Sequence, residues 1–308
     1  MEARVSFVFL CCAIAIMSAF TPLSSSKPAN RPRELDAYAR RLGVAVPVDT
    51  AERITGQLIC RERALLTGGV IGVGLAVITA LLLPGGFDAG YVPVLIFGGL
   101  GVGSSVGAAL ASAASAFTPF AGPRVARSSI PGYADYVPPL ERWSGRVLPA
   151  LALLAILAAW IAFSVGALGD ARLSSAYIWG SAGAWLAYAS IAGLLVSEAL
   201  SRRILDRGQP SASATDLAWN DGLRSRALRD LHAVPITLGF VSVLSTFFDI
   251  GFLGDYSGGV ATAAVVGVGI PAILLAGGIT LFIVDITSKP QQHYWRRLWA
   301  DRAAGSPT

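Results

Sequence analysis

Val147-Leu-Pro-Ala-Leu-Ala-Leu-Leu-Ala-Ile-Leu-Ala-Ala-Trp-Ile-Ala-Phe-Ser-Val-Gly-Ala-Leu168 contains no charged side chain from end to end and follows directly on Arg142 and Arg146. A helix of about 20 apolar residues crosses a hydrocarbon core of about 30 Å. Six further stretches have the same character: 5–23, 65–83, 92–114, 177–199, 234–253 and 259–284. Repeated spans of this length have to be helical, because lipid offers no partner for an unpaired backbone group. The expected fold is therefore all-α, a polytopic transmembrane bundle with six core spans as three hairpins, plus an N-terminal span.

The composition agrees. Apolar residues make up 54% of the chain, charged residues only 14%, and the mean hydropathy is +0.61, whereas a soluble domain carries about a quarter charged residues. The charges are ordered as well as scarce. Of 24 Lys and Arg, eight fall in 24–64, four in 117–146, six in 200–233 and four in 285–308. The alternate connections hold only Arg4 and Arg172. Positive charge resists translocation, so the four basic segments are expected in the cytoplasm, with the N-terminus outside and the C-terminus inside a plasma membrane. Cleavage after a signal peptide at 1–26 would leave the eight basic residues of 24–64 outside, against this rule. Residues 1–26 therefore read as a signal-anchor-like span, 27–64 as a cytoplasmic basic helical segment, 65–284 as the six-span membrane domain with cytoplasmic loops 117–146 and 200–233, and 285–308 as a cytoplasmic tail.

The net charge of +5 could suggest nucleic acid. The basic residues flank spans, however, where anionic lipid headgroups at the cytoplasmic loops account for them, and no nucleic-acid partner is expected. Cys11, Cys12 and Cys60 form no Cys-x-x-Cys pair, and His232 and His293 stand apart. No disulfide framework, metal site or cofactor follows from them.

Local patterns add detail. Gly99, Gly103 and Gly107 recur every fourth residue, one helix face suited to close backbone approach. Gly68, Gly69, Gly72 and Gly74 suggest the same for the preceding span, and Pro271 a kink in the last. Asp216-Leu-Ala-Trp-Asn-Asp-Gly-Leu-Arg-Ser-Arg-Ala-Leu-Arg-Asp-Leu231 reads as an amphipathic helix capped by Thr215 or Asp216, lying along headgroups or docking a partner. Trp295 and Trp299, one turn apart beside Arg296 and Arg297, read as an interfacial anchor.

Ionisable groups at the edges of spans are the candidate functional residues, since burying them is costly. Glu198 has Arg202 four residues on and reads as a surface ion pair. Asp249 sits among Phe247, Phe248 and Phe252. With Asp170 and Asp255 it faces the side poor in basic residues, where a cation could be drawn. Leu168-Gly-Asp170 and Leu253-Gly-Asp255 lack the additional glycine of intramembrane aspartyl proteases, and no His-Glu-x-x-His or Gly-x-Ser-Gly box occurs. No catalytic residues and no enzyme activity are expected.

The stretch Arg124-Val-Ala-Arg127 followed by Asp135-Tyr-Val-Pro-Pro139, together with Asp216-Leu-Ala-Trp219, Asp221 and Leu223-Arg224, resembles multi-pass integral membrane proteins of high-GC Gram-positive bacteria. The resemblance spans about residues 60–290. It implies a six-span core in a bacterial plasma membrane and no particular activity. Three hairpins with sizeable cytoplasmic loops suggest a permease-like or accessory subunit of a transport system, with a protein partner or a homo-oligomer. The scarcity of polar groups in mid-span suggests instead a membrane scaffold or sensor without transport.

Overall fold

The structure is a computed structural model that describes residues 31–42, 44–46, 51–82, 92–117, 131–166, 174–208, 213–253, 269–287 and 290–299. Nearly all of these are helical, and none is in a strand. In chain order the helices are α1 (Arg31–Leu42), α2 (Ala51–Leu82), α3 (Val92–Phe117), α4 (Tyr133–Tyr136), α5 (Pro139–Ser164), α6 (Ser175–Gly180), α7 (Ala182–Asp206), α8 (Ala214–Leu253), α9 (Ile270–Thr287) and, after a 3-10 turn, α10 (His293–Leu298). Among the described residues five helices, α2, α3, α5, α7 and α8, are long and apolar enough to cross a membrane. The span at 5–23 and much of that at 259–284 lie outside the described residues. Pro271 is the second residue of α9 and follows the π-helical Gly269.

The starts of these helices follow from local chemistry. Pro139 opens α5, a position where proline gives up no helical hydrogen bond. Ser174 and Ser181 cap α6 and α7, accepting from Tyr177 N at 3.0 Å and Ala184 N at 3.2 Å. At the head of α8 the cap is Ser213, whose Oγ accepts from Asp216 N at 3.1 Å, rather than Thr215 or Asp216.

The bundle is joined by small residues. A Cβ placed on Gly68, Gly72, Gly103 or Gly107 would overlap a backbone carbonyl of the facing helix: Gly103 for Gly68, Gly99 for Gly72, Gly68 for Gly103 and Ala64 for Gly107. A Cβ on Gly99 would press against the Gly72 carbonyl and the Ala76 methyl. So α2 and α3 meet backbone to backbone, the arrangement that gives van der Waals contact its greatest density in lipid. Gly74 and Gly101 face open space and take no part.

α8 is the hub, packing on α3, α5 and α7. Its contacts are small and hydroxyl-bearing as well. Ser105 Oγ of α3 lies 2.9 Å from Thr237 Oγ1. Ser190 Oγ of α7 donates to Pro235 O at 2.9 Å, and Ser242 Oγ donates to Gly183 O at 2.7 Å. Gly239 sits against the backbone of Leu148 and Pro149 in α5. Large apolar side chains instead face outward: Ile71, Leu75, Leu154, Leu195 and Val196 are all more than half exposed. An outward apolar coat over a core of Gly, Ala and Ser inverts the arrangement of a soluble protein and fits lipid as the solvent.

A second core lies at the end of the bundle that carries the basic segments. Tyr38, Leu42, Ile54, Tyr136, Trp219, Leu228, Tyr294 and Trp299 pack there into one buried cluster. It draws on α1, the start of α2, α4, the first half of α8 and α10, forming a cap continuous with the bundle.

Candidate functional site

Residues 216–231 lie within α8, an unbroken 40-residue helix that runs from the cap into the bundle. They therefore do not lie along a headgroup layer as a separate amphipathic helix. Leu217, Ala218, Trp219, Ala227, Leu228 and Leu231 are buried, and so are Asp216, Asp221, Ser225, Asp230 and His232. Polar and apolar side chains alternate around the whole circumference because the helix is enclosed on every side. Each buried charge must then find a partner, since a lone ion away from water costs several kcal/mol or more.

The partners come from six other elements. Asp230 sits under α2 and α3. Arg61 approaches it as a fork, with Nε 2.6 Å from Oδ2 and Nη2 2.6 Å from Oδ1, and Ser112 Oγ donates to Oδ2 at 2.5 Å. A bidentate guanidinium pair is the strongest form of this contact. Asp221, fully buried, accepts from Tyr136 Oη at 2.9 Å and from Trp299 Nε1 at 3.0 Å. Ser225 Oγ returns a hydrogen bond to Tyr136 O at 2.7 Å. Asp216 meets Arg53 Nη2 at 3.4 Å. In the opposite sense, Arg229 Nε reaches both Glu141 oxygens at 2.7 and 2.8 Å, and Arg226 meets Glu62 at 3.3 Å while lying 4.8 Å over the Tyr38 ring.

The tail is part of this network. Tyr294 is fully buried and Trp299 nearly so, Trp295 stacks on Trp299 at 5.6 Å, and His293 Nε2 lies 3.1 Å from Ala134 O. Burial pushes the Tyr294 phenol well above its ordinary range, with the charge of Asp221 adding to the effect. Trp299 is thus a buried cap residue rather than an interfacial anchor, and the half-buried Trp295 packs on it. His232 is likewise enclosed, with its ring 5.0 Å from that of Tyr133 and its edge against Gly145.

The residues singled out from sequence lie elsewhere. Glu198 pairs with Arg146 of α5, which donates from Nη2 at 3.1 Å and from Nε at 3.2 Å. The expected partner, Arg202, is exposed. Asp249, at the far end of α8, lines a cavity of about 20 Å³ with Tyr177, Ser181, Thr246 and four apolar residues. Asp170 and Asp255 lie outside the described residues. Gly99, Gly103 and Gly107 form the α3 side of the α2–α3 contact. The structure therefore brings together Asp216, Asp221 and Asp230, and it leaves Glu198 and Asp249 at separate places on the bundle.

Chemically, the cluster is a set of hydrogen-bonded carboxylates, of which Asp216 and Asp230 pair with arginines. Asp216, Asp221 and Asp230 are each engaged by donors from another element. Among the described residues no three His, Cys, Asp or Glu side chains are grouped to hold a metal. The arrangement ties the cap to the bundle. The signal in the sequence was the failure of Leu217, Leu223, Leu228 and Leu231 to keep a clean helical period, since a helix mixed all round is one that is covered all round. Compared with known proteins, the chain matches no family model, no curated protein and no solved structure.

Proposed function

We propose that this chain is a non-enzymatic accessory subunit of a plasma-membrane transport system, with the cap in the cytoplasm as the platform on which its partner sits. The observation that carries the reading is the single helix α8, which belongs to both cores and is pinned in the cap by Asp216, Asp221 and Asp230. A load applied to the cap passes directly to the α3, α5 and α7 contacts in the bundle. The charge order along the chain supports the cytoplasmic side for the cap, hence the C-terminus inside and the N-terminus outside. Anionic headgroups meet the exposed arginines around its rim, such as Arg202 and Arg203.

Purification in mild detergent tests this. Stoichiometric recovery of an ATPase, lost when the exposed cap face is altered by Arg33→Glu and Arg40→Glu, is the expected outcome. A bare homo-oligomer would sink the accessory-subunit reading and leave a scaffold. The scaffold reading draws its own support from the glycine contact, which packs α2 and α3 backbone to backbone.

A further inference from the structure

One half-buried arginine at the basic end of the bundle lacks a counter-ion. Arg53, Arg61, Arg226 and Arg229 each meet a carboxylate, and Arg224 donates to Arg207 O. Arg142, in the first turn of α5, is also half-buried. Its side chain has no hydrogen-bond or ion-pair partner among the described residues, and its Nε is enclosed. The Tyr133 phenol feels the charges of Arg142 and Arg146, and its Oη too is enclosed with no hydrogen-bond partner. Burial, with the Glu141 charge adding to it, pushes that phenol well above its ordinary range, so it stays a donor. A part-buried cation with no acceptor is costly.

The packing of α5 on α7 defines the surroundings. The two helices run antiparallel: Arg146 meets Glu198 at the basic end, while Ile156 and Ala159 share a buried cluster with Ala184 and Ala187 at the other. One turn from Arg146 is Arg142, and one turn from Glu198 is exposed Arg202. Both steps run the same way along the pair, by about 6 Å. Arg142 and Arg202 therefore flank the end of the α5–α7 groove. Two nearby acids are already engaged, Glu198 by Arg146 and Glu141 by Arg229. Asp206, a further turn along α7, is exposed and makes no ion pair among the described residues. Next to Arg142, Trp143 is two-thirds exposed, as suits an indole at headgroup level. Away from that end the outward side chains are apolar, with Val147, Leu154 and Leu157 of α5 and Leu195 of α7 exposed.

We infer that the end of this groove seats one anionic phospholipid, its phosphodiester on Arg142 and Arg202 and its acyl chains along the apolar face. A phosphate supplies the acceptor oxygens that a guanidinium fork matches. The apolar track commits the seat to a lipid rather than to free phosphate. A choline or ethanolamine headgroup would bring a further cation to a place that already holds Arg142, Arg146 and Arg202, so the lipid is one whose headgroup carries no positive charge. Basic pockets between spans hold acidic lipids in this way. The seat presupposes the membrane-embedded reading and the headgroups around the basic rim. It adds to them one lipid at named residues.

The full chain is first floated with phosphatidylcholine vesicles, and failure to float removes the membrane reading and the seat with it. Floated protein is then taken into mild detergent with equal amounts of phosphatidylglycerol and phosphatidylcholine of the same chains, and bound lipids are counted by native mass spectrometry. One phosphatidylglycerol, retained about tenfold over phosphatidylcholine, is the expected result. Arg142→Gln should remove that preference. Arg202→Gln, at an exposed position that folding does not depend on, should weaken it by about threefold or more. Arg203→Gln removes the same charge one residue away and should leave it intact. Equal retention of the two lipids overturns the seat while the membrane reading stands. Equal loss in Arg202→Gln and Arg203→Gln shows a diffuse charge effect and overturns it too. Displacement of the lipid by millimolar glycerol phosphate would make the ligand a free phosphate ester and overturn the lipid assignment.

Discussion

At the scale of single residues, the fully buried carboxylate of Asp221 is the sharpest case. It is held by one phenol and one indole, and the indole comes from the tail, 78 residues away in the chain. Trp299→Phe keeps most of the packing and removes that donor, and should lower stability by about 1–3 kcal/mol in denaturant titrations in detergent. No change would mean that the tail does not reach Asp221. Asp230 allows a stricter test. Arg61→Met removes the guanidinium fork from a buried carboxylate, leaving it the Ser112 hydrogen bond and the charge of Arg226, and should cost about 3–5 kcal/mol, whereas Arg61→Met with Asp230→Leu should recover most of the loss, because an apolar pair replaces a buried ion pair at little cost. Additive losses in the double variant would contradict the pairing. These contacts were beyond reach in the sequence for a simple reason. A chain displays neighbours at i+4, and so Glu198 suggested Arg202, but its actual partner, Arg146, is 52 residues away. Long-range charge pairs are set by how helices pack, which no local pattern records.

At the scale of elements, much was legible. The apolar stretches mark the helices that carry the bundle, and Gly99, Gly103 and Gly107 advertised a face for close approach. The structure adds the register of that face, with Gly103 against Gly68 and Gly99 against Gly72, and it divides the glycines into those that matter and those that do not. Gly103→Val should therefore disrupt the α2–α3 contact and abolish recovery of folded protein, since the facing atoms are backbone and cannot yield. Gly74→Ala and Gly101→Ala, which meet nothing within 4 Å, should be recovered at wild-type levels by size-exclusion chromatography in detergent. Equal loss at all three positions would refute the register. What the elements concealed was their true length. α8 was readable only from residue 234 onward as a span, because Asp, Arg and Ser in its first half look like a water-facing segment until their partners on α2, α3, α4, α5 and α10 are in place.

At the scale of the whole molecule, charge and hydropathy divide the chain into spans and loops, and the structure joins much of the loop material into a second core. The cap and the bundle share α8, so they should open together. A basic loop lying on a membrane surface would exchange its amides quickly, whatever the state of the spans. A helix enclosed by α1, α2, α4 and α10 would not. Hydrogen–deuterium exchange of the protein in detergent micelles, followed over the peptides covering 214–233 and 234–250, decides between them. Protection of 214–233 comparable to that of 234–250, lost together with it on denaturation, is the predicted result. Rapid exchange of 214–233 alongside a protected 234–250 would contradict the continuous, buried α8 on which the account depends.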